Sequence, residues 1–513
     1  MRIITEFNKL GEYDKYSVIL ILVYAAVVLS LTSIYHVSGD ACWHVQASKF
    51  IADNQRIPAF EPLGREEPFW SPPLYHLIVA VLYSWSGMIN HDIANFAIKF
   101  ISPAFGIFSL VLSFIVIKKI TNSKIAFCSI IFLAFIPISI DYGVLSYIES
   151  VFIFFVLLSI YFLNNNRFIL SGIAAGLSIL TKYHGVLILP LLVFLTYSKY
   201  KDKRAFFKKT SIVVLIALAI SVPWFIRNWI VFGNPIWPFL NFIFHGLESS
   251  SFSQANFGNL INPNFFIFTY LGTFGVPDGN YAAFSFFRIS HLSYLFALWL
   301  FGTILFMLPL IIGFSVRNSS KMEAQQKLNK NLRWLRIFFL VWLLPYIILT
   351  FPYVINTEWS VSRIILPAFP AFAFFWALGY AKLSSKFKIK KIVIFLTILI
   401  ISGFLFTETV KIKLASNEWD FYREDFNWIK SNTKKTAIFI AEGQCVPYNI
   451  ERTSLYLNDK SLNKADYIWI NQNFKLDKRS IFNEAKLKQI QSRNYNLVYS
   501  NKKTGTLIYS TTS

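Results

Sequence analysis

The sequence predicts a polytopic, all-α membrane domain followed by a small α/β domain. Of its 513 residues, 55% are hydrophobic and only 15% are charged, whereas an ordinary soluble domain has about 25% charged residues. Many apolar runs reach the roughly 17–25 residues that a helix needs to cross the hydrocarbon core. These runs are continuous rather than alternating, which favours helices over a membrane β-barrel. From about residue 412 the long apolar runs stop.

About eleven transmembrane helices are predicted in the first domain. The first apolar run lacks the pattern of a signal-peptide cleavage site, so it is interpreted as an uncleaved membrane anchor. The predicted spans lie near 16–35, 100–117, 124–140, 147–163, 168–182, 185–198, 211–230, 291–315, 335–353, 363–381 and 391–408.

A further apolar piece, residues 74–87, is short. Its length of about 14 residues suits an interfacial or re-entrant helix better than a membrane crossing. If it does not cross, basic loops such as "KKITNSK" and "KYKDKRAFFKK" all face one side. Because an excess of Lys and Arg marks cytoplasmic loops, the N-terminus is predicted to be cytoplasmic. The large loops 36–99 and 231–290 and the C-terminal domain are then extracytoplasmic.

The formal net charge of +22 has the same explanation. The Lys and Arg residues cluster between predicted spans, so the chain is interpreted as a cell-membrane protein, and no nucleic-acid partner is predicted.

The three cysteines, Cys42, Cys128 and Cys445, show no metal-ligand spacing. Cys128 lies in a predicted span. Cys42 and Cys445 both fall outside, and this topology allows a disulfide between them.

Residues 412–513 are predicted to form a domain distinct from the membrane domain of residues 1–411. Strand-like pieces, "AIFIAEG", "ADYIWI", "YNLVYSN" and "TGTLIYS", alternate with helix-like stretches such as "DFYREDFNWIKS" and "IFNEAKLKQIQS". This alternation is typical of a small α/β domain. The domain has no Gly-rich phosphate loop and no evident catalytic cluster, which favours a role in packing or in docking an acceptor.

Three acids lie near predicted outer ends of spans. Asp40 precedes the helical pattern "ACWHVQASKFIAD", so it fits either the N-cap of that helix or a functional site. Glu149 directly precedes an apolar stretch, where a carboxylate is costly unless it faces a polar cavity. Asp141 is a further candidate and is expected to be more exposed.

Basic side chains also lie on the predicted outer face, against the inward bias of the other bases. For a single arginine at a span end, the alternative is a side chain that merely extends to the membrane interface. As a set facing outward, they suit an anionic lipid headgroup, especially a phosphate. The set comprises Lys182, His184, Arg227, Arg288 and Arg363.

Carboxylates and phosphate-binding bases in one cavity at the membrane surface would suit a lipid-linked phosphosugar. A carboxylate would deprotonate the acceptor hydroxyl as it attacks the anomeric carbon, and the bases would stabilise the departing phosphate. His44 or a divalent cation could assist, but the sequence does not establish a metal. This hypothesis requires Asp40 and Arg363 to share a pocket on the non-cytosolic side.

Six pieces of the chain occur in the order found in a family of membrane enzymes. They are "GDACWHVQASKFIADNQRIP", "SPPLYHLIVAVLYSWSG", "SYIESVFIFFVLLSIYFL", "LTKYHGVLILP", "PWFIRNWIVFGNPIWPF" and "SRIILPAFPAFAFF". Over roughly residues 16–385 the chain resembles the C-type (GT-C) membrane glycosyltransferases. The resemblance is to the branch of protein O-mannosyltransferases and aminoarabinose transferases, and it implies a membrane domain of the GT-C type.

The resemblance implies an inverting transfer of a hexosyl or pentosyl group from a polyprenyl-phosphate-linked donor, outside the cytoplasm. It implies a general base at Asp40, a second acid at Glu149, and donor-phosphate contacts at Lys182, Arg227 and Arg363. The sugar stays open, as does the acceptor, which is a protein, a lipid or a glycan.

Two features depart from the family pattern. Many relatives have Lys or His directly before the "PPL" prolines, where this chain has Ser71, so Arg65 or His76 becomes the candidate for that substrate or phosphate contact. Many relatives also have two adjacent acids at the first motif. Here Ala41 follows Asp40, which weakens any proposal of a metal pair.

Two other classes of function compete with glycosyl transfer. A lipid or glycolipid transporter or flippase also holds ions between helices, but transporters tend to show internal repeats and charges at the membrane midplane. The sequence has no internal repeat, and its unexplained charges lie near predicted outer ends. A non-enzymatic assembly protein that presents the C-terminal domain would not need Glu149, Lys182 and Arg363 at span ends. The sequence therefore favours the glycosyltransferase.

Overall fold

The computed structural model of the protein is mostly helical, with one small sheet in its C-terminal part. It describes residues 10–62, 68–247, 269–275, 293–315, 362–385, 387–441, 445–457, 459–471, 490, 493 and 495–511.

In chain order the α-helices are α1 (Glu12–Ile34), α2 (Asp40–Asn54), α3 (Leu74–Gly87), α4 (His91–Ala97), α5 (Ile101–Ile120), α6 (Ser123–Phe135), α7 (Pro137–Val144), α8 (Glu149–Asn164), α9 (Phe168–Thr181), α10 (Ile188–Lys199), α11 (Lys203–Phe232), α12 (Asn241–Phe244), α13 (Ser293–Phe314), α14 (Ser362–Ile365), α15 (Phe369–Ser384), α16 (Phe387–Asp420), α17 (Arg423–Asn432), α18 (Val446–Ile450) and α19 (Asp459–Leu462). Short 3₁₀ turns cover Ile98–Phe100, Tyr183–Leu187 and Leu366–Ala368. The strands are β1 (Ile438–Ile440), β2 (Thr453–Leu455), β3 (Tyr467–Asn471), β4 (Asn496–Asn501) and β5 (Thr506–Ser510).

Within the described residues, six helical segments are long and apolar enough to cross a membrane, and a seventh results if one bent helix pair counts as a span. Each coincides with a predicted span, whereas the total of about eleven is not confirmed. The predicted span 335–353 lies outside the described residues. The six segments are Glu12–Ile34, Asp92–Ile120, Lys203–Phe232, Ala297–Phe314, Leu366–Ser384 and Lys390–Asn417.

Three other predicted spans, at 147–163, 168–182 and 185–198, are shorter apolar helices. They are α8, α9 and α10, with 16, 14 and 12 residues. Polar turns limit their length, because Asn165 follows the end of α8 and Lys182 leaves helical geometry after α9. The predicted interfacial helix at 74–87 is confirmed as a helix, since α3 has those bounds and 14 residues.

The chain divides into two compact units. The first, here called the helical unit, comprises Met1–Ser33 and Phe100–Lys411. The second, called the mixed unit, comprises Ile34–Lys99 and Ile412–Ser513. Residues 36–99, predicted as an outer loop of the membrane domain, therefore pack with the C-terminal residues.

The core of the helical unit is rich in aromatic side chains. Phe132 stacks on Phe306, with ring centroids 5.5 Å apart, and Trp376 packs against both rings. The Trp376 indole N–H donates a hydrogen bond to the Phe306 carbonyl at 2.6 Å, which satisfies its polar atom in the core. Helices α13 and α15 approach closely here because Gly313 has no side chain, and a Cβ atom there would overlap the Phe375 carbonyl.

A sharp bend in the helical unit shapes the region before Glu149. Helices α6 and α7 meet at an angle of 65°. Pro137 is the first residue of α7, and because it lacks a backbone N–H it starts a helix more readily than it continues one. Helix α7 then ends at Val144, so the chain turns and starts α8 at Glu149.

The mixed unit contains a five-stranded sheet in the order β2-β1-β3-β5-β4. Strand β1 pairs in parallel with β2 and β3, while β5 pairs antiparallel with β3 and β4. The four predicted strand-like pieces contain β1, β3, β4 and β5, and the helix predicted at 420–431 is confirmed by α17. The helix-like stretch 481–492 lies almost wholly outside the described residues.

A buried carboxylate joins α17 to the sheet. Asp425 accepts hydrogen bonds from the Tyr499 hydroxyl at 2.8 Å, from the Asn501 amide at 2.7 Å and from the Thr506 hydroxyl at 2.6 Å. Because a buried carboxylate is stable only when it is hydrogen-bonded or paired, these contacts explain an acid on the inner face of α17.

The N-terminal part of the mixed unit is linked covalently to its C-terminal part. Cys42 in α2 forms a disulfide with Cys445, and their Cα atoms are 5.0 Å apart. The disulfide that the sequence left open is therefore present, and Cys128 is a buried free thiol in the helical unit.

Candidate active site

The helical unit brings together an acid and a base that the sequence predicted as site residues. Glu149 is the first residue of α8, and Lys182 follows α9 in extended conformation. The Lys182 ammonium lies 3.0 Å from the Glu149 carboxylate, and the two side chains are 15% and 3% exposed. The positive end of the α8 dipole also favours a carboxylate at this position.

Arg363, in the short helix α14, lies in the same region. Its guanidinium is 5.9 Å from the centre of the Tyr147 ring, and Tyr147 stands two residues before Glu149. The charges of Lys182 and Arg363 both act on His184, which is half-buried with its Nδ1 atom inaccessible to solvent. Burial beside two cations favours the neutral imidazole. Glu149, Lys182, His184 and Arg363 are called the basic cluster from here on.

The basic cluster contains one carboxylate and two permanent cations. A lysine offers three donors around a point charge, and an arginine offers a planar fork that matches phosphate oxygens. Two such groups at the ends of apolar helices can bind a phosphate, and a neutral His184 can donate or accept a further hydrogen bond. The cluster is therefore chemically suited to an anionic headgroup.

Arg227 belongs to a neighbouring network near the end of α11. Its guanidinium lies 4.7 Å from the centres of the Trp224 and Phe232 rings and donates to the Asn228 side-chain oxygen at 2.8 Å. The Tyr183 hydroxyl accepts hydrogen bonds from the Asn228 amide at 2.8 Å and the Trp224 indole at 3.3 Å. Tyr183 lies between Lys182 and His184, so this network supports the turn that carries two members of the basic cluster.

Sequence reasoning did not select Tyr147, Tyr183 or Asn228. Their positions in the sequence could have pointed to them, because Tyr147 precedes Glu149 by two residues and Tyr183 separates two selected bases. Asn228 stands next to Arg227. Neutral polar residues are common at span ends, so their type alone does not distinguish them.

Asp40 lies in the mixed unit, at the start of α2. The N-cap is Gly39, at φ 59°, and Asp40 is the first helical residue. The interpretation of Asp40 as the N-cap is therefore wrong. Glycine readily adopts this positive φ and takes the capping position, which leaves Asp40 half-buried in the first turn.

His44 and His76 form a buried pair in the mixed unit. The His44 Nδ1 and His76 Nε2 atoms are 3.0 Å apart, so one ring donates to the other. Burial, and then the neighbouring His44, lower the pKa of His76 well below its ordinary value. His76 is therefore neutral at neutral pH and offers hydrogen bonds rather than positive charge. The adjacent Trp43 donates to a Glu61 carboxylate oxygen at 2.9 Å.

Two predicted contacts, Arg65 and Arg288, lie outside the described residues. Among the residues that the structure describes, no group of three or more His, Cys, Asp and Glu side chains is arranged to hold a metal ion.

Asp141 belongs to a second charged cluster in the helical unit. The Lys411 ammonium lies 2.5 Å from the Asp141 carboxylate and also pairs with Glu408, one turn earlier on α16. The side chain of Asp141 is 13% exposed and that of Glu408 is 1% exposed. Asp141 is more exposed than Glu149, whose side chain is 3% exposed, as expected, but α16 supplies a cation that sequence reasoning did not pair with it. Asp141, Glu408 and Lys411 are called the buried triad from here on.

The buried triad also depends on a glycine. Gly275 has φ 83°, its carbonyl lies 3.4 Å from the Lys411 ammonium, and a Cβ atom there would overlap the Glu408 carboxylate. The sequence signal for this cluster was the "ETVK" spacing near the end of the last predicted span, which puts Glu408 and Lys411 on one helix face.

The chain is similar to known proteins in both sequence and fold. Residues 71–227 match the family model described as dolichyl-phosphate-mannose-protein mannosyltransferase. This segment contains Glu149 and Lys182 and ends at Arg227. No curated protein sequence matches the chain significantly.

Three solved structures share the fold at low sequence identity. ArnT from Cupriavidus metallidurans, bound to undecaprenyl phosphate, has a TM-score of 0.61 and 11% identity, covering 96% of this chain and 97% of ArnT. The oligosaccharyltransferase AglB from Archaeoglobus fulgidus, in complex with an inhibitory peptide and a dolichol-phosphate, has a TM-score of 0.53 and 11% identity, covering 98% and 75%.

The mycobacterial arabinofuranosyltransferase AftD has a TM-score of 0.53 and 10% identity, with coverage of 96% of this chain and 39% of AftD. The fold of this chain is thus that of GT-C glycosyltransferases, as the resemblance in the sequence implied. Residues 71–227, less than half of the chain, thus match a family of mannosyltransferases, and nearly the whole chain shares the fold of these solved glycosyltransferases.

Proposed function

We propose that the protein transfers a sugar from a polyprenyl-phosphate-linked donor to an acceptor on the extracytoplasmic side of the membrane, with inversion at the anomeric carbon. The observation that carries the proposal is the basic cluster, in which Lys182 pairs with the buried Glu149 and Arg363 adds a second cation. A phosphate attached to a lipid tail is an anion, and a cluster of cations at the ends of apolar helices can bind it.

The basic cluster binds the donor phosphate and stabilises the leaving group. As the bond between the anomeric carbon and the phosphate oxygen breaks, the electron pair stays on the phosphate, whose charge increases. Lys182 and Arg363 stabilise that charge in the transition state. Glu149 supplies the counter-charge of the Lys182 ammonium, and Arg227 supports the turn behind it through the Tyr183 network.

Asp40 is the general base of the proposed reaction. Its carboxylate takes the proton of the acceptor hydroxyl while the hydroxyl oxygen forms the new bond to the anomeric carbon. Attack from the face opposite the departing phosphate inverts the configuration at that carbon. His44 is one helical turn from Asp40, and its ring is hydrogen-bonded to His76.

Solved relatives and the disulfide support the donor class and the side of the membrane. ArnT was solved with undecaprenyl phosphate and AglB with a dolichol-phosphate, so a polyprenyl phosphate is the donor carrier that we propose here. Disulfides form in oxidising compartments, and the Cys42–Cys445 bond therefore supports an extracytoplasmic position for Asp40 and for the C-terminal domain. Protein, lipid and glycan acceptors all fit this chemistry.

A divalent cation does not enter the proposed mechanism. Asp40 is followed by Ala41 rather than by a second acid, and the described residues offer no set of three ligands. The donor set that the structure describes does not fit such an ion, and no step is derived through one.

The test compares two aspartates of α2 in a strain that lacks the gene. Asp40→Asn is expected to reduce the glycan product by about 10²–10⁴-fold, the usual cost of losing a general base. Asp53→Asn, an exposed position on the same helix, is the matched control and is expected to keep normal product. Mass spectrometry of envelope glycans measures both, and immunoblotting confirms equal abundance.

Near-normal product in the Asp40→Asn strain would show that Asp40 is not the general base.

A flippase would move a polyprenyl-phosphate sugar without consuming it. The purified protein in nanodiscs is given undecaprenyl-phosphate mannose, or the corresponding glucose or aminoarabinose donor, together with an envelope extract that supplies acceptor hydroxyls. Release of free undecaprenyl phosphate is expected of a transferase and not of a flippase.

A further inference from the structure

The segment that carries Asp40 is attached on both sides to C-terminal residues of the same unit. Two residues after Asp40, Cys42 is bonded to Cys445, which directly precedes α18. Both cysteines are buried. The bond joins positions 403 residues apart in the sequence, so it brings the C-terminal domain to the start of α2.

The chain before Asp40 is attached to the same region by hydrogen bonds. The His36 ring nitrogen Nε2 lies 2.6 Å from the side-chain oxygen of Asn449, in α18. The His36 backbone N–H donates to the Ser416 hydroxyl at 3.0 Å, and that hydroxyl donates to the Ile34 carbonyl at 3.0 Å. The His36 ring also stacks on Trp419, with centroids 6.1 Å apart.

A third attachment lies two turns further along α2. The Lys49 ammonium is 4.8 Å from the centre of the Tyr448 ring, which also belongs to α18. Residues on both sides of Gly39 and Asp40 are therefore held by α18 and by the end of α16. Gly39, at φ 59°, lies between these attachments.

We propose that the C-terminal domain positions Asp40 through the Cys42–Cys445 bond and the contacts of α18. This inference rests on the proposed function of Asp40 as the general base. Transfer needs the carboxylate within hydrogen-bond reach of the acceptor hydroxyl, and a displacement of about 1 Å at such a group can cost about 10²-fold in rate. Cys42, Cys445 and Asn449 are thus positioning residues, and the domain contributes to catalysis without touching the substrate.

The first test measures the position of the segment without any substrate. Hydrogen–deuterium exchange of the full-length protein in nanodiscs is compared with and without a reductant, and for the Cys42→Ser/Cys445→Ser variant. Loss of the bond is expected to speed exchange at residues 36–46 by at least about tenfold while strand β3 keeps its protection. Unchanged exchange at 36–46 overturns the proposal, and equal loss of protection in β3 means that the bond serves only the stability of the domain.

The second test measures glycan product in the deletion strain. The Cys42→Ser/Cys445→Ser variant is expected to lose product by about 10–100-fold at normal abundance, with unchanged binding of undecaprenyl phosphate. Cys128→Ser, which removes the buried free thiol, is the control and should retain product. Full product in the double-cysteine variant overturns the proposal.

A double-mutant cycle separates positioning from other effects. If the bond acts through Asp40, removing it from an Asp40→Asn protein lowers the residual product no further, because neighbours that act through one group are not additive. A second loss of equal size shows that the bond acts elsewhere. Normal product from the Asp40→Asn variant would show that Asp40 is not the general base. If instead the Asp40→Asn variant is inactive and the double-cysteine variant is active, only the positioning role fails, so the two failures are distinguishable.

Discussion

The basic cluster and the buried triad of the helical unit contain the same kinds of charged side chains in opposite proportions. In the basic cluster one carboxylate accompanies two permanent cations, whereas in the buried triad one lysine serves two carboxylates. Both contain an ion pair with a separation of 3.0 Å or less and a carboxylate that is almost fully buried. A close pairing of acid and base therefore does not by itself identify a site.

The balance of charge and the surrounding backbone distinguish the two clusters. The triad is closed by the chain itself, since the Gly275 carbonyl lies near its lysine and the acids occupy its other sides. The basic cluster combines groups that suit phosphate with a histidine held neutral by burial. This difference is why we propose a structural role for the triad and a ligand-binding role for the basic cluster, and each role predicts a different response to mutation.

The largest effect on stability is expected from Lys411→Met. Removing the cation leaves two buried acids uncompensated, and breaking a buried ion pair typically costs about 3–5 kcal/mol. The free energy of unfolding in detergent measures this loss, with Lys413→Met at an exposed position of the same helix as control. Unchanged stability would contradict a structural role for the triad. The folded fraction should bind undecaprenyl phosphate normally.

Arg363→Ala is expected to act on binding instead. A hydrogen bond to a charged group contributes about 1.5–3 kcal/mol, which corresponds to about 10- to 150-fold in Kd. Undecaprenyl phosphate binding to the protein in nanodiscs measures it, and Arg204→Ala, at an exposed position of α11, serves as control. An unaltered Kd would exclude Arg363 from the phosphate site.

Glu149→Gln separates the effect of the basic cluster on stability from its effect on phosphate binding. The amide can still accept a hydrogen bond from Lys182, but the buried lysine loses its counter-charge, so stability should fall by about 1–3 kcal/mol. Undecaprenyl phosphate should bind at least as tightly, because a competing anion is gone. A Kd more than about tenfold weaker, by about 1.4 kcal/mol, would mean that Glu149 is needed to hold the cations in place.

The smallest effect is expected from Glu408→Gln in the buried triad. Asp141 still pairs with Lys411, and the amide keeps a hydrogen bond, so the free energy of unfolding should change by no more than about 1 kcal/mol. The same isosteric change would then cost more in the basic cluster than in the triad. A larger loss at Glu408 than at Glu149 would reverse the comparison.

Local patterns predicted the local elements well. The interfacial helix at 74–87, six long spans and four of the five strands follow from apolar length, alternation and turn residues. The sequence did not reveal β2, because its three residues are too few for a recognisable pattern. The N-cap of α2 is Gly39 rather than Asp40, for which the sequence left the capping role open, since side-chain type favours Asp whereas the backbone needs the positive φ.

Part of the candidate site could also be predicted from sequence. Glu149, Lys182, His184 and Arg363 were selected because charges are costly beside apolar spans, and the structure brings them together. Asp141 was selected by the same criterion, yet it belongs to the triad, because its partners lie 267 and 270 residues away on α16. Desolvation cost identifies buried charges but does not reveal which partner compensates each one.

By itself, the sequence determined the membrane class, the helical character of the first domain and most of the residues of the phosphate site that we propose. Those properties depend on hydrophobicity and chain-local hydrogen bonding, which act over a few residues. The tertiary structure decided which acid meets which base, that Cys42 meets Cys445, and that residues 34–99 pack with the C-terminal domain. Such pairings join positions hundreds of residues apart, and only the folded packing of helices and strands selects them.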